Sequence, residues 1–248
     1  VILIGITGAI GHGKSSLADA FLKCDDTAIH NESSLLISEF ANKAKKTIPD
    51  TFDVVSINEW LASLQPVFSS VLNIKVDEGI LKLTDKTSAD DIEFEKLADY
   101  IKNLSDNLNL RSEEITESTK PSHRALLQWL GGYFVNHISR TIWYDELVRR
   151  ARVAEKNGCK LYVIGGLRFP EDAAVIKKAG GIIIDIYRPE AQEPDLNDPT
   201  ERERANITYD IRVINNGSLD QLNNIASTIL NHMNESRLEP SYLATINN

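Results

Sequence analysis

The sequence predicts an α/β fold: a parallel sheet of about five strands with helices on both faces, interrupted by a helical insertion. Three observations carry this expectation. Short apolar runs rich in β-branched residues recur at 1–8, 160–167, 181–187 and 210–215. Strands buried on both faces read in this way. Segments with helical spacing of apolar residues alternate with them. The stretch 56–119 keeps the helical spacing but has few β-branched runs and many acids.

In chain order, VILIGITG is a buried strand ended by glycine. A helix follows from Lys14 to about Leu22, a short second strand at 27–30, and a helix over 33–46. Pro49, Asp50 and Thr51 mark a break. Ser56 with Glu59 has the spacing of a capping box. Trp60, Leu61, Leu64, Phe68, Val71 and Leu72 then recur at helical spacing, and Pro66 should kink or divide that helix. A second helix is predicted over 89–108, with Leu97, Ile101, Leu104 and Leu108 in one stripe.

The helix beginning near Ser122 is expected to bury Leu127, Leu130, Phe134 and Ile138. Another covers 143–156. Between the strands at 160–167 and 181–187, Pro170 suits a first helical position, acids occupy the first turn, Lys177 and Lys178 the last, and Gly180 follows as a stop. The last helix starts at Ser218, with Gln221 completing a capping box and Leu219, Leu222, Ile225, Ile229 and Leu230 as its apolar face. The expected organisation is a core of 1–50 and 120–235, an insertion at 51–119, and a loosely held tail at 236–248.

Composition narrows the function classes. The 248 residues are 42% apolar and 25% charged, which argues against disorder, collagen-like repeats and a disulfide scaffold. No apolar run reaches the roughly 18–20 residues needed to cross a bilayer, and no membrane association is expected. Two cysteines without metal-type spacing fit a reducing, cytoplasmic setting. The chain opens at Val1 already inside an apolar run, so its natural start is expected upstream. The net charge of −9 argues against a long nucleic-acid partner. Residues 75–118 hold twelve acids and six bases and supply most of that deficit. A local basic pocket for a small polyanion remains compatible with it.

Gly8-Ala9-Ile10-Gly11-His12-Gly13-Lys14-Ser15 matches G-x-x-x-x-G-K-[ST] between a strand and a helix. Gly8, Gly11 and Gly13 let backbone N–H groups wrap a phosphate, and the helix start around Ser15 and Ser16 adds partial positive charge. Lys14 can reach the β- and γ-phosphates of ATP, and Ser15 offers a hydroxyl ligand to Mg²⁺. His12 belongs to the same loop, and its plainer reading is an exposed side chain that need not touch phosphate. The motif specifies a P-loop NTPase three-layer fold. The guanine-reading N-K-x-D of GTPases is absent. Residues 188–209 carry Arg188, Arg202 and Arg204 among acids and prolines, as a mobile phosphoryl-transfer lid requires. A solvated charged helix is the competing reading.

HRALLQWLGGYF (123–134), GGLRFPEDAAVIKKAGG (165–181), YRPE (187–190) and DIRVINNGSLDQL (210–222) together resemble the phage-type deoxynucleoside monophosphate kinases. The resemblance covers about the first 30 residues and most of 120–230 and leaves 50–119 aside. It implies transfer of the γ-phosphoryl group of ATP, with Mg²⁺, to a (deoxy)nucleoside 5′-monophosphate. Carried over by motif, Arg124, Gln128, Arg140 and Arg168 become acceptor-binding candidates. For each arginine a surface salt bridge is the plainer alternative. Trp129 could stack on a base, although a helical tryptophan is more often core.

One departure matters. The family resembled usually has an acid just before R-F-P, where this chain has Gly165-Gly166-Leu167. Asp25, Asp26 or Glu32 could substitute, or phosphates alone could hold the metal's water. Two other readings stay open. One is a kinase for dephospho-coenzyme A or another small metabolite, since the D-x-x-I-x-N-x-G-S-L ending fits those enzymes almost as well. The other is a nucleotide-binding regulatory protein without transfer activity. A homodimer is one arrangement compatible with the sequence.

Overall fold

A computed structural model describes residues 1–77, 92–235 and 245–247. Its elements run β1 (Ile2–Thr7), α1 (Lys14–Leu22), β2 (Ile29–Glu32), α2 (Ser33–Ala44), α3 (Val54–Ser63), α4 (Gln65–Val67), α5 (Ile92–Asp106), α6 (Leu108–Ser112) and α7 (Arg124–His137). Then follow α8 (Ile142–Lys156), β3 (Leu161–Gly165), α9 (Pro170–Lys178), β4 (Ile182–Tyr187), α10 (Pro199–Arg204), β5 (Ile211–Ile214), α11 (Leu219–Asn234) and β6 (Thr245–Asn247). Two compact units result, 1–33 with 144–248, and 34–143. No helix among the described residues is long and apolar enough to cross a membrane.

In the first unit every strand pairing is parallel, in the order β2-β3-β1-β4-β5-β6. The α/β class expected from the strand runs is therefore the observed one. β6, within the stretch read as a tail, adds a short edge strand beyond β5; residues 236–244 and 248 of that stretch lie outside the described residues. β2 begins two residues later than expected. The Asp25 carboxylate accepts from the Thr27 amide and hydroxyl at 2.7 and 2.6 Å, which holds 25–27 in a turn.

β1 lies between β3 and β4, and this explains its unbroken apolar run: both faces are covered. Ile4 and Ile6 face a core made with Val163, Ile184, Ile186 and Val213, closed by Leu17 and Phe21 of α1 and Leu222, Ile225 and Ile229 of α11. Ser218 caps α11 with Gln221 as expected, at 3.2 and 2.7 Å. Leu219 is the exception to the expected face: it is 65% exposed, and Ala226 takes its place among the buried positions. The chain enters the sheet to one side of β1 through α1 and β2 and leaves to the other through α9 and β4. The carboxyl end of β1 is thus the point where strand order reverses, the position where open parallel sheets bind ligands.

The second unit is helical. Asp53 is the N-cap of α3, accepting from the Ser56 amide at 2.8 Å, so the expected capping box starting at Ser56 is displaced by a stronger cap three residues earlier. Pro66 coincides with the division expected: α3 ends at Ser63 and a new turn starts at Gln65. The predicted helix at 89–108 begins within the described residues at Ile92; 89–91 lie outside them. In α7 the buried positions are Leu126, Trp129, Leu130, Tyr133 and Phe134. Leu130 and Phe134 are buried as expected, while Leu127 and Ile138 are only half-buried and Leu126, Trp129 and Tyr133 carry the rest of the burial. Trp129 stacks on Trp60 and Tyr133, at 6.0 and 4.6 Å between ring centres, and is a core residue, not a base platform.

A buried polar network lies beneath the start of α7. The His123 ring shares hydrogen bonds with the Tyr100 hydroxyl at 2.6 Å and the Glu113 carboxylate at 3.0 Å. The buried Lys45 ammonium donates to the Leu110 and Glu113 carbonyls. Burial first, then the Lys45 charge, holds the His123 pKa below its ordinary 6.5. The unfolded chain therefore binds the proton more readily than the folded one. Stability should be undiminished by this group above about pH 6.5 and fall as pH drops below that value. Urea unfolding between pH 5 and 7.5 measures the slope. His123→Gln should lose about 1 kcal/mol at pH 7.5 from its hydrogen bonds yet show a shallower decline toward pH 5. An unchanged slope would remove His123 as its source.

Candidate active site

The loop 8–13 leaves β1 at the reversal point and ends on Gly13, whose φ of 102° places it in the left-handed region. A Cβ there would also lie 2.4 Å from Asn215 Nδ2, so both conformation and space demand glycine. Asn215, just past β5, donates through Nδ2 to the His12 carbonyl at 3.0 Å and braces the loop. α1 begins at Lys14 with no side-chain cap, leaving its first N–H groups directed at the loop. Ser15 is exposed and Ser16 half-buried on that first turn. Gly8 and Gly11 also adopt positive φ within the same loop.

Lys14 donates to the Gly8 and Ala9 carbonyls at 2.7 and 2.8 Å. Its pKa is lowered, chiefly by burial. The carboxylates of Glu201 and Glu32 oppose that shift, and the guanidiniums of Arg204 and Arg168 add to it. Lys14 is therefore the electrostatic meeting point of three segments: the end of β2, the turn after β3 and α10.

His12 departs from its expected exposed position. It is 4% exposed, its Nδ1 accepts from the Arg188 amide at 3.3 Å, and its ring meets Tyr187 edge-on at 5.3 Å. The loop folds back over the end of β4, which a reading of the loop as a simple surface turn does not foresee.

Arg168 is exposed on the turn after β3. Asp172 fixes that turn by accepting from the Arg168 and Phe169 amides at 3.2 and 3.0 Å. The Tyr144 hydroxyl donates to the Gly166 carbonyl at 2.7 Å, and Thr7 Oγ1 to the Leu167 carbonyl at 3.4 Å. Burial raises the Tyr144 pKa, keeping it a donor. The segment expected as a lid holds its arginines differently. Arg188 and Arg202 are exposed. Arg204 is 13% exposed, bonded to Glu201 at 2.8 Å and 4.0 Å from Asp185, which also accepts from Arg212 at 2.8 Å.

Of the acids weighed as substitutes before R-F-P, Asp25 sits in the turn with Thr27, whose Oγ1 accepts from the Lys160 amide ahead of β3. That is the opposite end of the strands from the loop, and Asp26 is beside it in the same turn. Glu32 is the one at the correct end: it pairs in register with Gly165. A Cβ on Gly165 would lie 3.2 Å from Glu32 Oε2 and 2.9 Å from His30 Nε2.

Arg124 and Gln128 are exposed together on α7 of the second unit, one turn apart, and Arg140 is exposed just beyond that helix. Asn215, Tyr144, Asp172 and Asp185 were not singled out as site residues from sequence. Asn215 alone had a signal, as the asparagine of the I-x-N-x-G-S-L ending; the others are brought in by strand register and turn geometry.

A glycine loop ending on a lysine at the first turn of α1, at the reversal point of an all-parallel sheet, defines the class: an α/β protein of P-loop kinase-like fold. The comparisons agree. The family model described as deoxynucleotide monophosphate kinase matches residues 62–225, and the chain belongs to that family. It is accordingly a kinase, a phosphotransferase. A relative from Acanthamoeba polyphaga mimivirus named for the same kinase activity is 24% identical over 223 residues, 89% of this chain and 92% of that one. The family match runs through 62–119, so most of the helical stretch that the motifs left aside lies within the family's span. The match does not include 8–16, whose reading stands on the motif and the geometry above.

Proposed function

We propose that the protein transfers the γ-phosphoryl group of ATP to a deoxynucleoside 5′-monophosphate. The observation that carries this reading is the glycine loop at the carboxyl end of β1, where strand order reverses, with the Lys14 ammonium held on its Gly8 and Ala9 carbonyls. An oxygen of the acceptor's phosphate attacks the γ-phosphorus in line. The bond to the β-bridging oxygen breaks, leaving ADP and a deoxynucleoside diphosphate.

In this reading the loop amides of Gly8, Gly11, His12, Gly13, Ser15 and Ser16 hold the donor phosphates, and Lys14 neutralises charge between the β- and γ-positions. Arg188, Arg202 and Arg204 close on the transferring group. For Arg204 this means exchanging its contacts with Glu201 and Asp185 for phosphate oxygens. Arg168 receives the acceptor's phosphate, and the family motif assigns acceptor binding to Arg124, Gln128 and Arg140 as well. Among the described residues no group of three or more His, Cys, Asp or Glu is set to hold a metal ion. A cation that phosphates and water hold in large part, with the exposed Ser15 hydroxyl as protein ligand, fits this donor set. Mg²⁺ would supply charge neutralisation across the β- and γ-oxygens.

The test is an assay with ATP, Mg²⁺ and each deoxynucleoside monophosphate in turn, with dephospho-coenzyme A alongside. Diphosphate formation from at least one deoxynucleotide is expected. Arg168→Ala should raise the acceptor KM roughly 10- to 100-fold, from the loss of a charge-assisted contact. ATP binding without transfer to any acceptor, or an unaltered Arg168→Ala, would overturn the reading.

A further inference from the structure

We propose that Glu32, at the carboxyl end of β2, is the metal-positioning carboxylate of this site, holding the water shell of the divalent cation that accompanies ATP. The inference rests on the nucleotide-kinase reading and adds to it a residue and a role.

Three observations support it. First, position. β2 and β3 are adjacent and parallel, and Glu32 is level with Gly165 at the ends of both strands. Ligands of parallel sheets lie beyond such ends. Second, space. The notch that a side chain at 165 would fill is occupied from the neighbouring strand: a Cβ on Gly165 would fall 3.2 Å from Glu32 Oε2 and 3.6 Å from Glu32 Cβ. One on Gly166 would fall 3.7 Å from Glu32 Cβ and 3.8 Å from Oε2. The missing side chain at Gly165 is what lets Glu32 and His30 of β2 lie against the end of β3; the distances at Gly166 are ordinary contacts. Third, charge. Glu32 acts on the Lys14 ammonium and on the buried Tyr144 hydroxyl, and Arg168 acts on the same two groups. A half-buried carboxylate at this strand end, in electrostatic reach of the loop lysine, can accept from the waters of a cation bound beside Ser15. Proteins commonly orient a phosphate-bound cation through its waters in this way.

The experiment uses the full chain with Mn²⁺ and a non-hydrolysable ATP analogue, read by electron paramagnetic resonance. Glu32→Gln should weaken Mn²⁺ binding to the nucleotide complex about 10- to 100-fold, the usual cost of losing an outer-shell partner. Binding of the metal-free nucleotide should be unchanged. The second arm keeps the charge on a shorter side chain: Glu32→Asp should retain much of the Mn²⁺ affinity that Glu32→Ala loses. Gly165→Asp should weaken binding by crowding the Glu32 carboxylate and the His30 ring. Unchanged Mn²⁺ affinity in Glu32→Gln would overturn the proposal. So would equal loss of metal-free nucleotide binding, which marks a purely structural role. Because the readout is binding, it holds whether or not the wild-type protein transfers phosphate to a given acceptor. Failure of the kinase reading and failure of this one therefore give different results.

Discussion

Lys14→Ala is expected to lower kcat on the order of 10³-fold while leaving the fold in place. The ammonium is bonded directly to the glycine loop, through the Gly8 and Ala9 carbonyls. Burial lowers its pKa, so the folded protein gives up solvation to keep a charge there. Such a group serves the ligand's charge more than the stability of the chain. Removing it should leave the thermal midpoint within a few degrees of wild type. Lys14→Arg should not restore the rate, because a planar guanidinium does not fit where a compact point charge lies on loop carbonyls. Steady-state kinetics beside a melting curve decides the matter. Retention of activity in Lys14→Ala would remove the loop from the mechanism, and a collapsed melt would make the lysine structural.

The largest effect on stability is expected at Phe40. Its ring is fully buried on α2 and meets Phe68 at 4.9 Å, Phe134 at 5.0 Å and Trp143 at 6.2 Å between ring centres. Phe134 and Trp143 also touch each other, at 5.8 Å, so the four rings form one closed cluster. Phe40→Ala should cost about 3–5 kcal/mol, the loss of a buried ring plus an unfilled cavity among rigid neighbours. Urea unfolding measures it. Phe40→Leu should recover more than half of the loss. A cost below about 1 kcal/mol would show that α2 repacks freely, contrary to a core of interlocked rings.

The parts of this molecule that could be read from residue order are those that local chemistry dictates. The strand runs, Pro170 at a helix start, the Ser218 cap and the glycine loop each carry their signal within a few residues. Where two local signals competed, the stronger one elsewhere prevailed: Asp53 displaced Ser56 as a cap. On α7, Leu130 and Phe134 are legible as core, whereas Trp129 and Tyr133, large aromatics with polar tips, become core only once neighbours such as Trp60 are in place. At the site, Lys14 and Arg168 were visible from motif and position. The burial of His12 and the proximity of Glu32 to Gly165 depend on strand register and a loop closing over β4, neither of which is a property of nearby sequence.

The placement of β1 also has a consequence for how the molecule is assembled. Its two sheet neighbours, β3 and β4, come from the far part of the chain; Thr7 bonds to the Leu167 carbonyl across 160 residues of sequence. During synthesis the first strand emerges with neither long partner available, while the local helical contacts of 34–143 can already form. Closing so large a loop delays pairing until late, and an apolar strand waiting unpaired is open to association with other chains. Refolding should therefore show an early helical phase followed by a slower one in which nucleotide-binding capacity is recovered. The glycine loop, which precedes both sheet partners of β1 in chain order, would be among the last parts of the protein to become competent.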